Sequence, residues 1–212
     1  MTGFRPYIHM SISEQEIDEF TIDDALWLVF ASYEKRLEAV NHRKTPDSVL
    51  AVLVDDDHPD VREGVAAHRN VSAQTLDNLV DDVDASVRQA VARNVNTSRR
   101  SATKLAFDTN EKVRFEVASH LNVPAEVMTV IFRDDEGLGV PLANNQSAPV
   151  NLLTTLAASV NKEVRAGVAA NTNTPVSVLE MLGTDDNEFV RYCVARNQKT
   201  PDDLRNRVVT TL

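Results

Sequence analysis

Histidine, cysteine and carboxylate side chains could bind a metal or catalyse a reaction, but their spacing in this chain argues against both. Cys193 is the only cysteine, which excludes an internal disulfide and a cysteine-rich metal or iron–sulfur site. Three of the five histidines, His42, His68 and His120, are 26 or more residues apart, and no HxH, HxxxH or His-Glu pair supplies ligand spacing. Paired carboxylates, a triad order and a glycine-rich phosphate loop are also missing from the sequence. We therefore predict no catalytic residue, no metal site and no cofactor, and we interpret Cys193 as a small packing residue.

Arginine and aspartate recur in two matched columns about 26 residues apart. The arginine column reads Arg62, Arg88, Arg114, Gly139, Arg165 and Arg191, and the column six residues before it holds Asp56, Asp82, Asp108, Ser159 and Asp185. A guanidinium can bridge a carboxylate and backbone carbonyls. We predict a structural ladder of Asp–Arg pairs between neighbouring repeats. The alternative, an arginine stripe for phosphate, is weakened by the matching acid in nearly every copy.

These columns belong to an eight-residue motif that begins at residues 61, 87, 113, 138, 164 and 190. Its copies read VREGVAAH, VRQAVARN, VRFEVASH, LGVPLANN, VRAGVAAN and VRYCVARN. A fixed period of this size is typical of a solenoid. With the first residue counted as position 0, position +4 is Val or Leu and position +5 is always Ala, which predicts close helix–helix packing.

Each motif follows a second helix pattern, so that one repeat consists of helix A, an acidic turn and helix B. Thr-Pro pairs such as Thr45-Pro46 and Thr174-Pro175 predict a threonine N-cap with proline at the first helical position. Apolar residues four and seven positions after the pair predict one buried face. The Asn or His at position +7 of helix B is predicted to cap carbonyls, and asparagine tolerates the left-handed conformation at such a helix end. Neither helix is long enough to be stable alone, so stacking must stabilise both.

The chain is predicted to have three segments. Residues 1–44 form a helical N-terminal cap with a degenerate first repeat, residues 45–199 form the regular repeats, and residues 200–212 form a C-terminal half repeat. Trp27 and Phe30 are predicted to fill the junction between the cap and the first repeat, because an uncapped solenoid end exposes its core.

The pattern TPxxVLxxLxxDxxxxVRxxVAxN is clearest in TPDSVLAVLVDDDHPDVREGVAAH and TPVSVLEMLGTDDNEFVRYCVARN. It resembles the leucine-rich repeat variant family and overlaps with the looser HEAT-repeat pattern, over about residues 35–212. The resemblance implies an all-α, right-handed solenoid of about six two-helix repeats, in which one helix of each repeat can be a 3-10 helix. Some relatives carry an upstream cysteine cluster for iron–sulfur, and this chain lacks those cysteines. The resemblance is specific for the fold and uninformative about function.

The charge distribution disfavours some partners. The net charge is −10, and residues 1–60 alone carry 13 acids and five bases. Such a chain has no long-range attraction to nucleic acid or anionic lipid. The sequence shows neither a signal peptide nor a membrane span. We expect a soluble cytoplasmic protein that does not act on membranes.

Positions −1, +2 and +6 of helix B are predicted to face outward and form a wall, the usual docking surface of such arrays. The sixth copy places Phe189, Tyr192 and Arg196 there, the third places Phe115, and the irregular fourth places Val140. Aromatic residues beside arginine are typical of binding hot spots, which predicts a non-catalytic scaffold for a protein partner. The alternative is that these aromatics pack on the C-terminal tail or a neighbouring turn. In the fourth repeat, Pro141 lies in helix B and must shorten or break that helix. This repeat is either a bend or a binding notch.

One basic patch interrupts the acidic surface, and it supports the second functional hypothesis. Its members are Arg93, Arg99, Arg100 and Lys104, with no acid between them. The patch is either a solvated face or a phosphate contact for DNA or RNA, and the acidic surface could instead mimic DNA for a basic protein. The oligomeric state is predicted to be a monomer or an end-to-end homodimer.

Overall fold

The computed structural model describes residues 28, 30–120 and 122–211. In this part of the chain all regular structure is helical, with fourteen α-helices and one short 3-10 helix. The helices form two compact units, of which the first ends at Thr97 and the second begins at Ser98. We call them the N-terminal and the C-terminal unit. The all-α repeat architecture predicted from the sequence is confirmed.

The N-terminal unit contains five described helices in the alternating order B, A, B, A, B. The B helices are α1 (Tyr33–Asn41), α3 (Pro59–Ala67) and α5 (Ala85–Arg93), each nine residues long. The A helices are the shorter α2 (Asp47–Leu50) and α4 (Ala73–Asp77). Both continue beyond these bounds with i→i−3 hydrogen bonds, so that the last turn of each of these A helices has 3-10 geometry.

The C-terminal unit continues the alternation with longer A helices. These are α6 (Arg99–Leu105), α8 (Ala125–Asp134), α10 (Val150–Leu156), α12 (Val176–Leu182) and α14 (Asp202–Val209). The B helices are α7 (Glu111–Ser119), α9 (Gly139–Asn144), α11 (Lys162–Ala170) and α13 (Glu188–Arg196). Within this unit consecutive B helices pack side by side in chain order.

Three positions of helix B build the core of both units. Positions 0, +4 and +5 are buried in every copy of the motif, from Val61, Val65 and Ala66 to Val190, Val194 and Ala195. Helix A contributes its predicted face, as in Leu50 and Leu53. In α14 the first of these A-helix positions holds Arg205, whose Nη2 donates to the backbone oxygens of Asn197 and Thr200.

Small residues at position +3 permit close approach between B helices. A Cβ atom added to Gly64 would overlap Val40 Cγ2, and one added to Gly167 would lie 2.9 Å from Ala143 Cβ. These separations are too short for any residue larger than glycine unless the neighbouring side chain moves. Cys193 stands at the same position of α13 and is partly buried, as expected of a packing residue.

The Thr-Pro pairs act differently from the prediction. Proline itself precedes the first helical residue, as Pro46 and Pro175 do, and so the threonine lies one residue too early to cap helix A. The buried threonine hydroxyl instead donates backward to a backbone oxygen near the end of helix B, as Thr174 does to Val168 at 2.6 Å. Serine does cap helix A where it replaces proline: Ser72 Oγ accepts from the Thr75 amide and Ser98 Oγ from the Ser101 amide.

The asparagines at position +7 cap carbonyls, but they cap those of the preceding repeat. Asn171 Nδ2 donates to the backbone oxygens of Ala143 and Asn145, both at 2.8 Å, and its Oδ1 accepts from the Asn173 amide. The same pattern recurs at Asn94, Asn145 and Asn197. The left-handed conformation that asparagine tolerates does not occur here, since these residues are extended and no described residue has a positive φ. An extended backbone carries the side chain across to the neighbouring repeat.

Where histidine replaces asparagine at position +7, the side chain donates one hydrogen bond instead of two. His68 Nδ1 accepts from the Asn70 amide at 3.0 Å, which leaves Nε2–H to donate to the backbone oxygen of His42 at 3.0 Å. His120 Nδ1 likewise accepts from the Asn122 amide. These contacts confirm that the histidines are capping residues.

At the N-terminal end, the prediction for Phe30 was wrong. Phe30 is 87% exposed, and the buried side chains near it are Leu28 and Ala31. Apolar character alone did not reveal which residues of this run face the core. The prediction for Trp27, like most of the predicted cap, lies outside the described residues.

Candidate protein-binding surface

The arginine ladder runs along the A-to-B turns. Each rung joins an arginine of helix B to the turn of its own repeat and to the turn of the next repeat. In an intact rung, the arginine Nε and Nη2 donate to both oxygens of an aspartate 20 residues further along, in the next repeat. This geometry joins Arg62 to Asp82 at 2.7 and 3.0 Å and Arg165 to Asp185 at 2.7 and 3.0 Å, and it also joins Arg36 to Asp56. The Nη1 atom binds a turn carbonyl of its own repeat, for example Asp56 O for Arg62. The ladder predicted from the two columns is confirmed for these pairs.

The rung carboxylates are nearly inaccessible and held in their charged form. The side chains of Asp82 and Asp185 are only 5% and 7% exposed. Burial of the carboxyl raises the pKa of each aspartate. Hydrogen bonds from the paired arginine and from a backbone amide outweigh burial, and the pKa of each is lowered overall. The arginines therefore have a structural role and are not available as a stripe for phosphate.

The fourth repeat interrupts this ladder without leaving a buried charge unpaired. Its B helix is shortened to six residues and follows a 3-10 turn at Glu136–Leu138. Arg114 from the preceding repeat binds Asp135, 21 residues ahead, with Nη2 at 2.8 Å. Gly139 replaces the arginine of the next rung and Ser159 replaces its aspartate, so both partners of that rung are absent. The predicted shortening of this helix is confirmed.

The outward positions of the C-terminal unit carry the apolar side chains. Phe189 and Tyr192 on α13 are 63% and 48% exposed, and their rings stack with centroids 6.3 Å apart. Arg196 lies one turn further along the same helix and is exposed. Phe115 on α7 is 48% exposed, and Val140 on α9 is partly exposed. All five predicted binding residues thus lie on B helices of one unit.

Position +2 forms an apolar row across four consecutive B helices, namely Phe115, Val140, Ala166 and Tyr192. Neighbouring packed helices have axes about 8–10 Å apart, so the row spans about 25–30 Å. Ala166 does not protrude as the sequence predicted; it is 4% exposed. Its helix is flanked by B helices on both sides, and a methyl group does not rise above such neighbours. The row therefore has exposed aromatics at its two ends and a low middle.

The equivalent wall of the N-terminal unit is mostly polar, although Leu37 on α1 is partly exposed there. Asp60 and Glu63 on α3 are exposed at positions −1 and +2, and Glu34 on α1 is also exposed. Tyr33 donates a hydrogen bond to Asp60 at 2.9 Å, which raises the pKa of the tyrosine hydroxyl. No aromatic pair is exposed on the described B helices of this unit.

The four basic residues of the predicted patch are exposed. Arg99, Arg100 and Lys104 lie on α6, and Arg93 ends α5 in the other unit. Arg99 has an acidic neighbour that the sequence prediction did not consider, since its Nη2 is 3.9 Å from Glu126 Oε2. This exposed pair is weak, but it reduces the positive potential of the patch.

Other chemistry is scarce in the described ranges. No group of three His, Cys, Asp or Glu side chains is arranged to hold a metal ion there. Burial raises the pKa of the Cys193 thiol, which disfavours the reactive thiolate. None of the described helices is long and apolar enough to cross a membrane. Sequence reasoning missed Phe107, an aromatic residue that is 54% exposed just after α6. Its exposure could have been predicted, because it lies beyond the last position of the buried face of helix A.

Four features define an α-helical repeat protein: the alternating A and B helices, the buried Val and Ala columns, the Arg–Asp pairs, and the bonds from the position +7 asparagines to the preceding repeat. The structure is similar to a solved one described as a leucine-rich repeat variant with a novel repetitive protein structural motif. The TM-score is 0.61 at 23% sequence identity, over 94% of this chain and 87% of that chain. The resemblance inferred from the repeat pattern is thereby confirmed for the fold. No protein-family model matches the sequence, and comparison with curated proteins gives no match.

Proposed function

We propose that the protein is a non-catalytic cytoplasmic scaffold that binds a protein partner through the B-helix wall of the C-terminal unit. The stacked, exposed pair Phe189–Tyr192 beside Arg196 carries this proposal. A few residues carry most of the binding energy in protein interfaces, and tyrosine and arginine are enriched among them. Each ring contributes a large apolar area with few rotatable bonds. Against the alternative that the pair packs on the C-terminal tail, both rings are exposed in the described part of the chain.

The apolar row at position +2 suggests the form of the partner segment. An extended chain rises about 3.3 Å per residue, so the row from Phe115 to Tyr192 matches about eight or nine residues. The exposed rings at the two ends suit small or flat partner residues. The low middle at Ala166 suits a bulky apolar side chain.

A nucleic-acid role is the second candidate, and exposed Arg99 and Arg100 favour it. The neighbouring Glu126 and the net charge of −10 oppose it. Binding through phosphates would weaken steeply as salt is raised. Binding through the aromatic pair would change little with salt.

The test is an affinity capture from lysate with three proteins, each with and without nuclease. The proteins are the wild type, Phe189→Ala/Tyr192→Ala, and the control Phe107→Ala, which removes an aromatic of similar exposure outside the wall. The proposal predicts a nuclease-resistant partner that the control retains and the double variant loses. A partner that requires nucleic acid and is captured equally by all three proteins would contradict it.

A further inference from the structure

Within the described residues, one arginine of the ladder has no carboxylate partner. In the intact rungs the acceptor is an aspartate 20 residues ahead, such as Asp185 for Arg165. Arg191 lies one repeat after Arg165, and the residue 20 positions ahead of it is Thr211. The rung at Arg191 therefore lacks its acid, although the arginine is present. This differs from the fourth repeat, where arginine and acid are both replaced.

Arg191 is nevertheless held in the same way as the paired arginines. Its Nη1 donates to the backbone oxygens of Asp185 and Asp186 at 2.8 and 3.3 Å. Arg165 makes the equivalent bonds to Ser159 and Val160 at 2.9 and 3.2 Å. Two matching bonds fix the plane of the guanidinium, so the Nε–Nη2 edge of Arg191 is directed to the place where a rung carboxylate would lie.

That edge is incompletely satisfied. Nη2 donates to the backbone oxygen of Thr211 at 2.8 Å, while Nε is buried and has no hydrogen-bond partner. A neutral carbonyl takes one of the two donors, whereas a carboxylate takes both, with a charge that complements the guanidinium. A buried donor without a partner is energetically unfavourable. The arrangement favours a ligand with two coplanar, negatively charged oxygens.

We propose that Arg191 is a carboxylate-binding site, in which a ligand carboxylate displaces the Thr211 carbonyl and accepts from Nε and Nη2. Thr210 and Thr211 follow the end of α14 and are exposed. Opening the site moves Thr211 and breaks the bonds from its amide and hydroxyl to the backbone oxygen of Val208, at 2.9 and 2.8 Å. The ligand is either an aspartate or glutamate side chain of a polypeptide or a small free carboxylate. This proposal is independent of the aromatic wall, although both features lie on α13.

The experiment follows the arginine Nε–H signals by NMR in the full chain with ¹⁵N-labelled arginine. Sodium acetate is titrated against sodium chloride at equal ionic strength. We expect the Arg191 signal to shift saturably with acetate alone, while the signal of Arg165, in an intact rung, does not move. The Arg191→Lys variant lacks the Arg191 Nε–H group, so the signal that is missing from its spectrum belongs to Arg191.

A peptide titration distinguishes the two sources of carboxylate. The probe is the blocked tetrapeptide of residues 184–187, which contains the rung acid Asp185, and its control has asparagine at both aspartate positions. Binding about tenfold tighter than acetate, lost in the control peptide, would assign the site to polypeptide carboxylates, since that ratio corresponds to about 1.4 kcal/mol. Equal affinity for acetate and peptide would assign it to free carboxylates.

Thr211→Asp supplies the missing acid within the chain. We expect the Arg191 Nε–H signal to move toward those of the intact rungs, the melting temperature to rise, and the acetate response to fall at least about tenfold. If the wild-type signal responds to neither acetate nor peptide, or if Thr211→Asp leaves signal and melting temperature unchanged, the proposal is wrong.

Discussion

The B helices of the two units bury the same side chains and expose different ones. In α3 and in α11 the buried positions hold Val, Val and Ala, and the buried residue at +7 binds carbonyls of the preceding repeat. On the outward face, α3 carries Asp60 and Glu63, whereas α13 carries Phe189 and Tyr192. Stacking constrains the buried columns in both units and leaves the outward columns free to vary. The outward columns are therefore where a binding function can be encoded.

Substitution of the asparagines at position +7 is expected to cause the largest loss of stability, and this loss should be equal in the two units. Asn94→Ala and Asn171→Ala each remove two buried N–H···O bonds. One backbone oxygen, of Ala66 or Ala143, and one backbone amide lose these partners, while the second oxygen keeps its bond from a turn amide. We expect each to lower the free energy of unfolding by about 2–4 kcal/mol, measured by denaturant titration. Asn173→Ala, which loses an exposed bond, should cost clearly less. A large cost in one unit alone would break the equivalence.

Close packing at position +3 should show a somewhat smaller effect in both units. Gly64→Ala and Gly167→Ala place a methyl group against Val40 and Ala143, and we expect a loss of about 1–3 kcal/mol from each. Val40→Ala should partly rescue Gly64→Ala and leave Gly167→Ala unchanged. Additive losses for the Gly64 and Val40 pair in thermal unfolding would contradict the close contact.

The ladder rungs should give a third, pH-dependent effect. Asp82→Asn and Asp185→Asn remove an ionised partner from a largely buried pair, and each is expected to cost about 1–2 kcal/mol at pH 7. Because the pKa of both aspartates is lowered in the folded protein, the wild type keeps this stability above the unfolded-state pKa of about 3.9 and loses it as pH falls through the folded-state pKa. Unfolding measured from pH 7 downward should show the variants and wild type converging only at acid pH.

Substitutions on the walls should have the smallest effect on stability. Phe189→Ala/Tyr192→Ala in one unit and Glu63→Ala in the other should each change the free energy of unfolding by less than about 0.5 kcal/mol. The same denaturant titration measures both variants and the wild type. A loss above about 1 kcal/mol for the aromatic pair would mean that it belongs to the core, and the comparison between the walls would fail.

The sequence predicted the structural features that recur with the repeat period. The period identified the buried columns, since Val168 and Ala169 recur in register, and the matched columns predicted the rung between Arg165 and Asp185. It failed where tertiary context decides between equivalent options. Thr174 could cap forward or bond backward, Asn171 could be left-handed or extended, and the exposure of Ala166 depends on its neighbours. Of the candidate site, the residues and their face were predictable, whereas the stacking of Phe189 on Tyr192 required the structure.

The most direct test of the central claim is site-specific photo-crosslinking along position +2. A photoreactive phenylalanine analogue is placed singly at residues 63, 115 and 192, and covalent adducts are detected after irradiation in nuclease-treated lysate. The account predicts the same protein adduct at residues 115 and 192 and none at residue 63. An adduct at residue 63 alone, or adducts of equal yield at all three positions, would contradict a docking surface confined to the wall of the C-terminal unit.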